Sequence, residues 1–170
     1  SLGSPKKFNL VELGAGNGEM MKVILESFRN FPIFFKSCKI FIHEKSSTLI
    51  KIQKKRLGEN KIIWKSNLNK LNKRPTIFIA NEFFDSIPIK QFIKLEKTWF
   101  EKFVKIEKNK KAFFFKKKLN MEKFEKKIKF KISQRQKFIE YSPLSMNFFK
   151  KITKKIKFNN GGILIIDYGY

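Results

Sequence analysis

Residues 11–20 read VELGAGNGEM, three glycines at alternate positions directly after an apolar run and directly before a helical pattern. The run KFNLVELG has the apolar, β-branched character of a buried strand ending at about Leu13. From Glu19 to Arg29, the residues Met20, Met21, Ile24, Leu25 and Phe28 recur at helical spacing. Strand, glycine turn and helix in that order bring bare backbone to the carboxyl end of a parallel strand, where ligands of open α/β sheets bind. Dinucleotide sites usually show G-x-G-x-x-G. Here the spacing is Gly14-x-Gly16-x-Gly18, with Glu12 two residues ahead of the first glycine. The different spacing argues for a different ligand.

The flanking sequence repeats the strand–helix alternation. CKIFIHE, from Cys38 to Glu44, is a second short apolar run. It is followed by Ser46 and Ser47 as candidate N-caps, then by Leu49, Ile52 and Leu57 before Gly58. KIIWKSN predicts a third strand near Lys61 to Trp64, and PTIFIANEFF a fourth ending near Ala80 or Asn81. Such alternation predicts an α/β fold, a Rossmann-like core with a mostly parallel sheet. From Gln91 to about Phe115 the period changes to two, with a turn-like KNKK at 108–111, which predicts an inserted antiparallel meander. The stretch from Lys116 to Lys137 is Lys-rich and reads as a mixture of short strand and surface loop. After Ser142 and Pro143, the four-residue recurrence of Phe148, Ile152 and Ile156 predicts a helix ended by Gly161 and Gly162, and ILIIDYGY a buried strand. The organisation expected is therefore 1–90 as the first part of the core, 91–140 as the β-rich insertion and 141–170 as the return to the core. With no start methionine and no covering element after the last strand, the chain reads as a fragment of a longer protein.

Composition narrows the chemistry. Cys38 is the one cysteine and His43 the one histidine, so neither an intrachain disulfide nor a Cys/His zinc cluster can be assembled, and no metal site is expected. No apolar run is long enough to span a bilayer and the N-terminus lacks the order of a signal peptide, so the chain reads as soluble and intracellular. A net charge of +25 would suit a nucleic-acid partner. The lysines are scattered rather than gathered into a stripe, and they accompany 21 Phe and many Ile and Asn, the bias of an AT-rich genome. Nucleic acid is thus possible but not favoured, and Trp64, Trp99 and the phenylalanines read as core or sheet-face residues rather than a stacking platform.

Three further acids stand where strands end. Glu44, closing the second strand, is placed to accept hydroxyl groups of a ligand in the crevice. ANEFFDSIPIKQF, residues 80–92, puts Glu82 and Asp85 just past the fourth strand, over the same crevice. Carboxylates so placed can clamp a guanidinium through paired, charge-assisted hydrogen bonds. The plainer alternative is that Asn81 and Asp85 cap the following turn while Glu82 is solvated.

An acid at a strand end followed by G-x-G-x-G is similar to the first motif of class I S-adenosyl-L-methionine (SAM) methyltransferases. More specifically, VELGAGNG, IHEKS, ANEFFDSIPIKQF, WFEKFV, IEYSP and GGILIIDYGY, taken in order, resemble the MidA-like family, which includes the mitochondrial complex I assembly factor that methylates an arginine. The resemblance implies a class I methyltransferase fold, SAM as cofactor, and a protein arginine as methyl acceptor, on a respiratory complex I subunit or its bacterial counterpart. It assigns Gly14, Gly16 and Gly18 to the SAM loop, Glu44 to the ribose, and Asn81, Glu82 and Asp85 to the acidic loop facing the acceptor, with Asn67 and Leu68 near adenine. It implies a bacterial cytoplasmic location, or the mitochondrial matrix in a eukaryote. The family commonly carries G-P-G-R-G where this chain has Ala15 and Asn17, a change tolerable where backbone does the binding, and its members are about twice as long. The rival expectations are an assembly or binding module on the same fold and, third, an RNA methyltransferase.

Overall fold

The computed structural model describes residues 5–58, 60–107 and 110–168. In chain order the elements are β1 (Phe8–Leu13), α1 (Glu19–Arg29), α2 (Pro32–Ser37), β2 (Cys38–His43), α3 (Ser47–Leu57), β3 (Ile62–Trp64), β4 (Thr76–Asn81), β5 (Lys90–Leu95), β6 (Thr98–Ile106), β7 (Ala112–Leu119), α4 (Met121–Ile128), β8 (Phe138–Tyr141), α5 (Pro143–Asn159) and β9 (Gly161–Ile166). They form two compact units, Ser1–Ser86 with Ser145–Tyr170, and Ile87–Leu144.

The first unit is built on a five-stranded sheet in the order β3-β2-β1-β4-β9, every pair parallel. Every position of β1 is buried, as a central strand covered on both faces requires. Val11 and Leu13 join Phe41, Phe78, Ala80 and Ile152 in one apolar cluster. On the other face Ile40, Ile42 and Ile62 meet Met21, Leu25 and Leu57 from α1 and α3. Burying each such side chain contributes about 1.5–3 kcal/mol. Deep in the sheet Asn9 donates to Thr76 Oγ1 at 3.1 Å, tying β1 to β4.

The second unit is an antiparallel sheet in the order β7-β6-β5-β8, with Phe92 and Trp99 packed against Phe124 of α4. Its outer strand β7 is exposed along almost all its length: Phe113, Phe114 and Phe115 retain 39%, 74% and 41% of their surface. The ammonium groups of Lys102 and Lys105 lie over the rings of Phe114 and Phe113 at 5.5 and 5.7 Å. In the KNKK turn, residues 108 and 109 lie outside the described residues, and the Glu107 N–H donates to Lys111 O at 3.0 Å to close it.

Several expectations are corrected. The stretch read as short strand and loop after Lys116 contains a helix, α4. Asn120 caps it by accepting from Lys123 N at 2.9 Å, and Met121, Phe124 and Ile128 make an apolar stripe that the lysine run obscures. On α3 the stripe is Leu49, Gln53 and Leu57, whereas Ile52 is 42% exposed. Gly161 and Gly162 do not end α5; the helix stops at Asn159, Asn160 takes the left-handed φ of 60°, and both glycines open β9. Glycine is obligatory at 161 because φ is 149° and a Cβ would stand 2.0 Å from Thr76 O. The helix α2 was not foreseen.

Candidate functional site at the carboxyl edge of the parallel sheet

The strand order reverses at β1, with β2 and β3 on one side and β4 and β9 on the other. A crevice at such a point, above the carboxyl ends of the strands, is where open α/β sheets take their ligands. All the segments singled out in the core meet this edge: Gly14–Gly18 after β1, Glu44 after β2, Asn67 and Leu68 after β3, and Asn81–Asp85 after β4.

Gly14, Gly16 and Gly18 have φ of 62°, 54° and 89°, all left-handed, which L side chains adopt only with strain. Gly14 N–H donates to His43 O at 3.0 Å and Gly18 N–H to Ala15 O at 2.7 Å, so the loop closes on itself and Gly18 caps α1. A Cβ at Gly14 would stand 2.7 Å from Phe83 Cδ2, whereas a Cβ at Gly16 would meet nothing within 4 Å. The loop is therefore packed at its start and open in its middle.

Glu12 retains only 2% of its surface and its Oε2 has no hydrogen-bond partner. Burial pushes its carboxyl up from an ordinary 4.5 to about 7. A buried acid without a partner is costly unless neutral or matched by a cation. Glu44 is half-buried, and its Oε1 accepts from Lys45 N at 2.7 Å and Ser46 N at 2.9 Å. Its Oε2 has only a long contact, 3.4 Å, with Gln53 Nε2. Gln53 Nε2 also donates to Gly16 O at 2.8 Å, and Gln53 Oε1 accepts from Trp64 Nε1 at 2.8 Å. Nothing in the sequence reading had given Gln53 a role; the available signal was a polar residue in the apolar stripe of α3. Neighbouring His43 is buried and held below its usual pKa by that burial. Its Nδ1 donates to Lys65 O at 2.9 Å, since a carbonyl only accepts, and its ring lies 5.2 Å from that of Phe148.

Asn67 caps a single 3₁₀ turn, Leu68–Lys70, by accepting from Asn69 N at 2.9 Å. Leu68 is 3% exposed and belongs to the apolar cluster around Val11 and Ile152. Its side chain is thus committed to the core, which leaves its backbone for any ligand.

The loop after β4 is anchored by rings. Phe83 lies 5.3 Å from Phe84 and 5.1 Å from Phe148, and both Phe83 and Phe84 pack on the core cluster. Between and beside these anchors Glu82 and Asp85 are exposed and Asn81 is half-buried. Glu82 takes a left-handed φ of 47°, with its N–H donating to Ile166 O at 2.8 Å. Asp85 Oδ1 accepts from Ser86 N at 2.8 Å, which fits the capping alternative for that residue without engaging its second oxygen. Beyond β9, the Glu82 side chain, an acceptor and a negative charge beside the Tyr168 hydroxyl, raises the phenol pKa, with smaller contributions from the charges of Asp85 and Asp167. Gly169 and Tyr170 of the IDYGY motif lie outside the described residues. The structure thus joins Gly14 to the acidic loop through Phe83, and Gly16 to Glu44 through Gln53.

A family model described as "Putative S-adenosyl-L-methionine-dependent methyltransferase" matches residues 1–170. The chain belongs to this family. Among similar proteins is the Xenopus laevis "protein arginine methyltransferase NDUFAF7, mitochondrial", 30% identical over 100% of this chain and 44% of its own length. The Homo sapiens protein of the same name is 26% identical over 99% of this chain and 43% of its own length. The chain therefore spans less than half the length of the curated relatives it matches. Two crystal structures of proteins from Burkholderia thailandensis share the fold at 18% identity. One, bound to S-adenosyl-homocysteine, superposes with a TM-score of 0.70 over 96% of this chain and 42% of that one. The other, a native form, gives 0.74 over 99% and 45%. The α/β fold read from the glycine turn is the fold these two structures share with the chain. Among the described residues no helix is long and apolar enough to cross a membrane.

Proposed function

We propose that this chain carries the SAM site and part of the acceptor site of a protein methyltransferase, the acceptor being an arginine guanidinium on a respiratory complex I subunit or its bacterial counterpart. The observation that carries the reading is the glycine loop: three left-handed glycines, open over Gly16, beside a carboxylate that closes the next strand. The names of the relatives support the arginine acceptor, and the same names support a mitochondrial location in a eukaryotic host; in a bacterium the cytoplasm is the counterpart.

The residues present fit SAM. The open middle of the loop gives a ligand access to backbone at Gly16, and Glu44 Oε2 has capacity for a ribose hydroxyl. The orphaned Glu12 Oε2 is matched by the ammonium of an amino-acid moiety, which would also return Glu12 to its charged form. Gly14 and Gly18 shape the loop, while Asn67 and the Leu68 backbone border the adenine side. When bound, SAM supplies a methyl group on a sulfonium cation.

The remaining work falls to the loop after β4. Glu82 and Asp85 are exposed, acceptor-only carboxylates that receive guanidinium N–H groups and hold one nitrogen in line for transfer. Asn81 adds a neutral donor and acceptor at the strand end. Negative charge beside the guanidinium would favour the transfer: as the N–C bond forms and the methyl–sulfur bond breaks, S-adenosyl-homocysteine leaves and the nitrogen's proton passes to one of these carboxylates. The Tyr168 hydroxyl beside Glu82 is a donor available to that carboxylate.

Titration calorimetry of the full chain with S-adenosyl-homocysteine is the direct test, with saturable binding expected and measurably weakened, though not abolished, in Glu44→Ala. Absence of binding by wild type would overturn the proposal. Mass spectrometry of complex I subunits incubated with SAM and the full chain then identifies the acceptor, a +14 Da arginine being the expected product.

A further inference from the structure

A glutamine at a core-facing position of a helix is an uneconomical way to fill space, since leucine would pack there without polar atoms to satisfy. Gln53 is fully buried, four residues before the buried Leu57 on the same face of α3. A buried amide is tolerated when each of its polar atoms is paired. Its hydrogen-bond contacts face the carboxyl edge of the sheet, where one amide reaches the loop after β1, the acid after β2 and the last residue of β3.

Each of these bonds constrains something a ligand would touch. Gly16 O is held at 2.8 Å, and in a planar trans peptide the following N–H points opposite to the carbonyl. Fixing that carbonyl on Gln53 therefore turns the Asn17 N–H to the other side of the loop. On Glu44, the Lys45 and Ser46 N–H groups already occupy Oε1, so Oε2 is the oxygen with capacity left. The Gln53 contact to Oε2, at 3.4 Å, is long enough to set the plane of the carboxylate while leaving room for a second donor. Trp64 completes the arrangement by fixing which end of the Gln53 amide is oxygen, because an indole N–H only donates.

We propose that Gln53 is a positioning residue for the nucleoside, its buried amide setting both the Glu44 carboxylate and the Gly16–Asn17 peptide for the ribose of an adenosyl ligand. The inference rests on the SAM-site reading and goes beyond it by naming a residue that touches neither cofactor nor acceptor yet determines how tightly the sugar is held.

The experiment is a double-mutant cycle read in S-adenosyl-homocysteine affinity, by calorimetry on the full chain. Gln53→Met keeps the volume and removes every hydrogen bond; it is expected to weaken binding about tenfold. In a Glu44→Ala background the same change is expected to add less than about threefold, because the carboxylate it positions is gone. Thermal unfolding is followed in parallel, since a merely structural role would lower stability equally in both backgrounds and leave the affinity losses additive. Should Gln53→Met not fold, Gln53→Glu keeps the acceptor for Trp64 and replaces the donor with a carboxylate facing Glu44; it is expected to weaken binding at least as much. Unchanged affinity in both variants, or additive losses, would overturn the role of Gln53 while leaving the SAM site intact. Failure of the wild type to bind would overturn the SAM reading itself, and this role with it.

Discussion

The two halves of the candidate site are held in different ways. Around β1 and β2, a buried glutamine, an indole N–H and two backbone N–H groups hold the glycine loop and Glu44 by hydrogen bonds. After β4, the acids stand exposed and the loop is pinned by the rings of Phe83 and Phe84. Glu82 is kept in a left-handed conformation that costs a non-glycine residue about 1–2 kcal/mol. Such strain persists only where the surroundings enforce it, here through the bond from Glu82 N–H to Ile166 O. A preorganised half suits a ligand of constant shape; an exposed, ring-anchored half suits the proposed acceptor side chain, which arrives from solvent.

That contrast can be broken from the β9 side. Gly161→Ala should have the largest effect, about 4 kcal/mol or more, because the new Cβ would stand 2.0 Å from a backbone oxygen of the neighbouring strand. Urea denaturation measures the loss. The acidic loop, which depends on β9, should lose its amide protection in hydrogen exchange before the glycine loop does.

Glu12 tests the preorganised half. Its carboxyl titrates near 7 in the fold against an ordinary 4.5, so the fold favours the protonated form. That contribution is fully present below about pH 4.5, falls away as pH rises to about 7 and is constant above; it amounts to at most ~3 kcal/mol. Thermal unfolding across that window should show the decline, and Glu12→Gln should flatten it. The ammonium group of the ligand's amino-acid end favours the ionised carboxyl, so S-adenosyl-homocysteine should bind more tightly as pH rises through 7, with proton release detectable by calorimetry in two buffers.

Gly14→Ala sharpens the link between the halves. The left-handed φ of 62° and the Phe83 ring both oppose the added methyl, and together they should cost about 2 kcal/mol of stability with weaker S-adenosyl-homocysteine binding. Phe83→Leu in the same chain should recover part of both, since it relieves the contact and leaves the dihedral. The smallest change is chemical: Glu82→Gln should leave S-adenosyl-homocysteine affinity intact and slow methyl transfer at least tenfold, about 1.4 kcal/mol of barrier. An equal loss of cofactor binding would move Glu82 to the other half.

The parallel core was legible because buried strands write themselves as apolar runs, and β1, β2 and β4 end within a residue of where Leu13, Glu44 and Asn81 suggested. α4 was not, because Lys123, Lys126 and Lys127 mask a stripe of only three apolar residues. The helix-ending role expected of Gly161 was misread because glycine next to a strand serves close approach as readily as it ends a helix. In the site, acids and glycines were visible because their residue types are rare in a chain so rich in lysine. Gln53, Phe83 and Tyr168 were not: their roles depend on what the fold brings beside them, from positions 37, 69 and 86 residues apart in the cases of Gly16, Gly14 and Glu82.

The outer strand β7 leaves its mark on how the protein behaves in solution. Three consecutive phenylalanines stand half open to water along a rim that pairs with no further strand among the described residues, guarded by Lys116, Lys117 and Lys118. Mutual repulsion between those ammonium groups should keep molecules apart in dilute buffer and fade once the screening length shrinks to about 3 Å at 1 M salt. The apolar rim feels no such shielding, so concentrated brine should drive this protein into sheet-to-sheet clumps that low ionic strength disperses.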